Sequence, residues 1–237
     1  MSSLLMVILV TSLAGLGMPL GGLLAKLEHF QSDWLAQEFR HGVMAFGGGA
    51  LLSAVGLVLV PESIEYVSMT QATLYFLGGS FAFMGLDIWL RKTNTPASQL
   101  AAMLADFIPE SIALGAAIAL DSPSSYLLAG LITLQNIPEG FNAYRELRSS
   151  PQFSPAKILI VFTLLALLGP IAGVSGYVWL TDYHHIVSAI MLFASGGILY
   201  SIFQDIAPQV KLEKHWFPPM GAVFGFLLGM LGYMLVH

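Results

Sequence analysis

Apolar residues run along the chain in eight blocks, separated by short polar stretches. The blocks cover 3–25, 41–61, 71–90, 99–120, 124–144, 155–180, 184–206 and 216–236. Each approaches the roughly 20 residues that an α-helix needs to cross a bilayer. The pattern predicts an all-α integral membrane protein, with eight transmembrane helices in one domain over 1–237. Turn chemistry marks several borders. "NTPAS" precedes the fourth block and "DSPSS" separates the fourth from the fifth. "FSPA" opens the sixth, with Ser154 as helix cap and Pro155 in the first turn. The first block has no charged residue ahead of it and stays apolar too long for a secretory signal, which predicts a retained span. In the first loop, Leu27, Phe30 and Trp34 fall on one helix face, which predicts a half-helix lying on the headgroups.

Composition agrees with this pattern. The chain is 56% hydrophobic and 10% charged, more apolar surface than a water-soluble domain can hide. It has no cysteine, so thiolate metal sites and disulfides are excluded. No basic run is long enough to suggest nucleic acid. The few cations are distributed unevenly. Lys26 and Arg40 flank the first loop, Arg91 and Lys92 the third, Arg145, Arg148 and Lys157 the fifth, and Lys211 and Lys214 the seventh. Those nine are every Lys and Arg in the chain. Positive loops stay cytoplasmic, so both termini are expected outside, and eight crossings preserve the alternation. A bacterial inner membrane fits this bias.

Two motifs recur in the same order. Pro-x-x-Gly stands in the first and sixth spans (Pro19, Gly22; Pro170, Gly173), and Gly-Gly-x-Leu-x-Ser in the second and seventh (from Gly48 and Gly196). The first and sixth spans start on opposite sides, so spans 1–3 and 6–8 read as an inverted repeat around a central hairpin of spans 4 and 5. Such repeats frame midplane binding sites in transporters.

That hairpin carries the costliest residues. Ile-Pro-Glu occurs twice, ending at Glu110 and Glu139, with Asp106 and Gln135 each four residues earlier. Counted from the turn near 121–125, Glu110 and Gln135 both lie roughly 16 Å deep. Each i, i+4 pair shares one helix face. Pro109 and Pro138 cannot donate backbone hydrogen bonds, which frees the carbonyls of Ala105 and Leu134. Carboxylates, an amide and loose carbonyls together suit a hard cation. Intramembrane ionisable residues cost several kcal/mol and mark an ion or substrate route.

These motifs resemble those of the ZIP (ZRT/IRT-like) divalent metal transporters, and the likeness covers nearly the whole chain. It rests on "AGLGMPLGG" in span one, "GPIAG" in span six, and the paired Pro-Glu motifs. Family members typically read His-Asn-x-Pro-Glu in span four; here those first two positions are Asp106 and Phe107. Gln135-Asn136-Ile137-Pro138-Glu139 fits the span-five pattern. Many members place a Glu before the span-six proline, where this chain has Gly169. The resemblance implies uptake of zinc, iron or manganese as cargo, with no resident cofactor. Asp106, Glu110, Gln135 and Glu139 would be the principal ligands, and Asn136 a remnant of a second position. Asp in place of His hardens the set toward Mn²⁺ or Fe²⁺ relative to Zn²⁺. The resemblance also implies that spans 1, 4, 5 and 6 move against spans 2, 3, 7 and 8. Protonation of the carboxylates would release the cation inward.

Other polar residues have bland readings beside functional ones. Asp205 suits a cytoplasmic exit position or an interface near Lys211. Asp87, four residues before Arg91, predicts a helix-end ion pair. Glu62 and Glu65 could attract cations at the outer end or be solvated acids. His184 and His185, beside Asp182, read as a solvated outer turn with a lesser claim to cations. Met44 reads as packing, with a lesser claim as a thioether ligand. Membrane lipid and the cation are the expected partners, and a homodimer is left open. Enzyme signatures are absent. Two rival readings stay open: a ZIP-like protein that binds metal or a partner without transport, and an intramembrane aspartyl hydrolase using Asp106 and Asp205.

Overall fold

Every regular element among the described residues is helical. The computed structural model describes residues 3–28, 33–93, 98–120, 122, 124–180, 182–210 and 217–236. In chain order the elements are α1 (Ser3–Leu27), α2 (Asp33–Ala54), α3 (Val60–Ile64), α4 (Met69–Thr93), α5 (Ser98–Ala119) and α6 (Ser125–Arg148). They continue with α7 (Pro155–Leu165), α8 (Leu168–Trp179), α9 (His184–Ser201), α10 (Ala207–Val210) and α11 (Pro218–Val236). Seven segments are long and apolar enough to cross a membrane: Ser3–Leu27, Gln37–Ile64, Met69–Lys92, Gln99–Ala119, Pro155–Trp179, His184–Val210 and Pro218–Val236. The expected fifth span is the 24-residue helix α6, which is not among the seven. Its middle and C-terminal end carry Gln135, Asn136, Glu139, Arg145, Glu146 and Arg148, which dilute its apolar character.

Prolines shape three of the crossings. Between α2 and α3 the helix widens into a π turn, Val55–Leu59, where Val60 N–H reaches Val55 O. Between α9 and α10 the same happens over Ile202–Ile206, with Ala207 N–H reaching Ile202 O. Both turns end two residues before a proline, Pro61 and Pro208. A wider turn relieves the clash between a proline ring and the carbonyl four residues earlier. The sixth span, expected as one helix over 155–180, is broken instead at residues 166–167. Pro170 cannot donate to Ala166 O, and Gly169 N–H takes that acceptor at 3.2 Å in a tightened turn. Its start is as expected, with Ser154 Oγ accepting from Lys157 N at 3.3 Å.

The half-helix expected in the first loop is not a separate element where the chain is described. Leu27 ends α1, and residues from Asp33 onward belong to α2. No proline interrupts the run from Asp33, so the helix extends without a break. Phe30, Lys211 and Lys214 lie outside the described residues, as do the "NTPA" stretch and parts of "DSPSS".

α1 packs along α6, α2 along α11, α4 along α9, and α5 along α8. Glycines let the backbones touch. A Cβ on Gly140 of α6 would strike the backbone of Met18 in α1, and one on Gly115 of α5 would strike Gly173 in α8. Close approach of this kind replaces the hydrophobic driving force that is missing between helices in lipid. Gly140→Val is expected to lower stability by about 1–3 kcal/mol through overpacking. Gly130→Val, where a Cβ meets nothing within 4 Å, is the control. Thermal midpoints in detergent decide it, and equal midpoints would remove the packing argument.

The helix ends meet in two groups. At one end Arg40 binds Glu28 at 2.8 Å, Arg145 reaches the same carboxylate at 3.5 Å, and Glu146 accepts from Gln99 N at 2.8 Å. At the other, Ser122 Oγ donates to Glu62 at 3.4 Å and the His184 ring stacks on Tyr66 at 4.8 Å.

Candidate cation site

Asp106 and Gln135 each stand one helical turn before a Pro-Glu pair, so their carboxylate and amide rise on the same faces as Glu110 and Glu139. Pro109 and Pro138 lie inside helices that run on past them. The two faces meet at the matched depth that the hairpin implies. Gln135 Nε2 donates to Glu110 Oε1 at 2.9 Å and Oε2 at 2.7 Å. Glu110, Gln135 and Asn136 are fully buried, Asp106 is 4% exposed, and Glu139 is half-buried.

What distinguishes this region is a surplus of acceptors. Among the described residues, Asp106 Oδ1, Gln135 Oε1, Asn136 Oδ1 and Glu139 Oε2 are buried without a hydrogen-bond partner. Ser111 Oγ, next to Glu110, is in the same condition. An unsatisfied buried polar group costs about 1–3 kcal/mol. Acceptors left without a donor can be satisfied by water, by a proton carried on a neighbouring carboxyl, or by a cation. Among the described residues, no three His, Cys, Asp or Glu side chains are gathered at metal-binding distance. Both Glu110 oxygens are instead taken up by the Gln135 amide.

Asn136 points elsewhere. It is one residue, or about 100° of helix, past Gln135, and its Nδ2 donates to Ala14 O of α1 at 2.9 Å. It therefore ties α6 to α1. Phe107 and Gly169, two of the three departures from the motifs the sequence resembles, are neighbours. Phe107 is fully buried, and its ring tip lies 2.7 Å from where a Gly169 Cβ would stand. Thr11 O lies 2.6 Å from the same point. A side chain at 169 would therefore meet both the Phe107 ring and the Thr11 backbone.

Asp205 lies in the second π turn, partly buried, with Arg91 Nη2 at 3.5 Å. The expected Asp87–Arg91 ion pair is present at 2.9 Å, and Tyr200 Oη donates to the other Asp87 oxygen at 3.2 Å. A cleft of about 240 Å³ opens here, lined in part by Asp87, Gln99, Ala102, Tyr200 and Asp205. Ala102 is one turn below Asp106 on α5, so this cleft begins where the acceptor cluster ends. At the opposite end a cleft of about 500 Å³ is lined by Glu62, Glu65, Tyr66, Ser122, Ser124 and His184 among others. His184 starts α9 rather than sitting in a turn. His185 turns to Gln71, at 3.0 Å, and Tyr75. Asp182 is exposed and Met44 is half-buried on α2.

Sequence reasoning missed Tyr200, Ser122, Ser111 and the Glu28–Arg40–Arg145 link. A serine directly after the first Pro-Glu, Ser111, was a readable signal. The long-range pairings had none, because they depend on which helix ends meet. No protein-family profile matches the chain, and no curated protein matches it.

Proposed function

We propose that the chain is a divalent-cation transporter of the ZIP (ZRT/IRT-like) kind, carrying manganese, iron or zinc toward the cytoplasm. The observation that carries this reading is the cluster of partnerless buried oxygens around the Glu110–Gln135 hydrogen bond. In this reading α6 is the eighth crossing. Its length, about 36 Å at 1.5 Å per residue, suffices. Both termini then face outward across a bacterial inner membrane. The two groups of helix ends support that alternation.

An inverted repeat is supported by the packing. Exchanging spans 1 with 6, 2 with 7, 3 with 8 and 4 with 5 turns the α1–α6 pair into α8–α5, and the α2–α11 pair into α9–α4. It also places one π turn on the other. All four of these pairings fall within the two groups of spans 1, 4, 5, 6 and 2, 3, 7, 8, which favours relative movement of two rigid halves.

The cation would enter by the cleft at Glu62 and shed water as it reaches the midplane. Gln135 then releases Glu110 and turns its Oε1 inward. Asp106, Glu110, Gln135 and Glu139 close on the ion, and neutralisation of the three carboxylates supplies the attraction. Only oxygen is offered, which favours Mn²⁺ or Fe²⁺. The ring of Phe107 leaves room for one ion. Release would follow the cleft at Asp205 and Asp87.

Binding without transport is the competing reading, favoured by the lack of a gathered three-acid group among the described residues. An aspartyl hydrolase is disfavoured by Asp205, which faces Arg91 instead of sharing a proton with a second acid. Calorimetric titration of Mn²⁺ into purified protein tests the site. One ion per chain is expected, lost in Glu110→Gln/Glu139→Gln. Unchanged binding in that variant would reject these ligands.

A further inference from the structure

The helices divide along a seam. On one side stand α1, α5, α6, α7 and α8, and on the other α2, α3, α4, α9, α10 and α11. Glycines show where the division falls. Among the described residues, each glycine whose Cβ would strike backbone outside its own helix does so within one half. Gly21 meets Ile137 and Gly176 meets Ile112 in the first half; Gly49 meets Ala222 and Gly79 meets Phe193 in the second. Across the seam the contacts are with side chains. Gly47 of α2 faces the Pro138 ring of α6, and Gly232 of α11 faces the Leu127 side chain of the same helix. Backbones in contact can hardly slide, whereas side chains can change rotamer.

Toward the cytoplasmic end the seam opens into an apolar slot of about 660 Å³. Leu24 and Phe141 line it from the first half, and Val43, Phe46 and Phe224 from the second. Where the slot lies, the two halves forgo dispersion contacts.

One carboxylate at this opening meets guanidinium groups from both halves. Arg40 of α2 grips Glu28, just past the end of α1. Its Nε stands 3.1 and 3.4 Å from the two Glu28 oxygens, and its Nη2 2.8 Å from Oε1. This pair crosses the seam. Arg145 of α6 reaches the same Oε1 at 3.5 Å and lies over the Phe141 ring, 6.0 Å from its centroid. That pair stays within the first half. Arg91, with Asp87 and Asp205, pairs within the second.

Glu28 is 11% exposed, whereas Arg40 and Arg145 are 32% and 36% exposed. A nearly buried carboxylate that loses its partner is strongly destabilising. Arg145 removes that penalty. When Arg40 leaves, Glu28 is still paired and the Arg40 guanidinium passes to water.

Resting on the movement of two halves in the transport reading, we propose that Arg40–Glu28 is a latch at the cytoplasmic end of the seam. Arg145 is the resident partner that keeps Glu28 when the latch opens. Because Pro138 also lines the slot, the opening reaches the turn of α6 that carries Glu139. A plain structural cross-link predicts the same sign of effect for loss of either arginine. A latch with a resident partner predicts different ones.

The chain has no cysteine, so spin labels can be placed at chosen positions. Gln37→Cys on α2 and Ser149→Cys at the end of α6 are exposed and lie on opposite halves. Double electron–electron resonance in metal-free liposomes reads their separation in the full chain. Arg40→Gln in this background should raise the ratio of longer to shorter separations about fivefold, equivalent to about 1 kcal/mol. Glu28→Gln should do the same. Arg145→Gln should leave the ratio at or below its starting value. An unchanged ratio in Arg40→Gln, or a rise in Arg145→Gln, would overturn the latch. Cation uptake by the same liposomes separates that failure from failure of the transport reading. Uptake with unmoved distances rejects the latch alone. Shifted distances in a protein that takes up none of Mn²⁺, Fe²⁺ and Zn²⁺ reject transport and keep the latch.

Discussion

Glu110→Ala is expected to abolish cation uptake, lowering the initial rate by roughly 100-fold, the equivalent of about 3 kcal/mol. Glu110 is fully buried and receives both hydrogen bonds from Gln135. It therefore holds the two halves of the hairpin in register and supplies one of the cluster's three carboxyl groups. Alanine removes both contributions and leaves Gln135 Nε2 without an acceptor, a loss of about 1–3 kcal/mol in stability. Glu110→Gln separates the two effects. It keeps an acceptor for Gln135 and the same volume but removes the charge. Uptake lost in both variants, with the thermal midpoint lowered only in Glu110→Ala, assigns the transport defect to charge. Normal uptake by Glu110→Gln would show that the carboxylate is not a ligand.

The second large effect concerns selectivity. Asp106→His is expected to move the preference from Mn²⁺ toward Zn²⁺ by about tenfold or more, because imidazole is a softer donor than carboxylate. Asp106 Oδ1 is buried and partnerless, one turn before Glu110 on the same helix face, so a ring at 106 starts on the face that carries the cluster. Competition of Zn²⁺ against Mn²⁺ uptake reads the shift, and an unchanged ranking would place Asp106 outside the cation's shell.

Local rules account for much of what the sequence made legible. Block lengths located the helices to within a few residues for α4, α5 and α11. The Ser154 cap and the Asp87–Arg91 pair depend on neighbours three and four residues away, and both are present. The meeting of Glu110 with Gln135 was readable because a short hairpin fixes depth on both sides of it. Features that depend on distant partners were not. Pro170 was visible, but the break it causes falls at residues 166–167, where the lost hydrogen bond would have ended. Asn136 reads as a ligand in one dimension, and only the position of α1 shows its amide bound to Ala14 O. Phe107 and Gly169 are 62 positions apart, and only the fold shows that the Phe107 ring stands where a side chain at 169 would begin.

Central to this account is transport of a divalent cation through the Pro-Glu pair. The most direct measurement is competitive uptake of Mn²⁺, Fe²⁺, Zn²⁺ and Cd²⁺ into liposomes carrying the protein, with Glu139→Ala alongside. The account predicts uptake led by Mn²⁺ or Fe²⁺ and lost in the variant. Uptake of none of the four by folded, inserted protein, or equal uptake by Glu139→Ala, would contradict it.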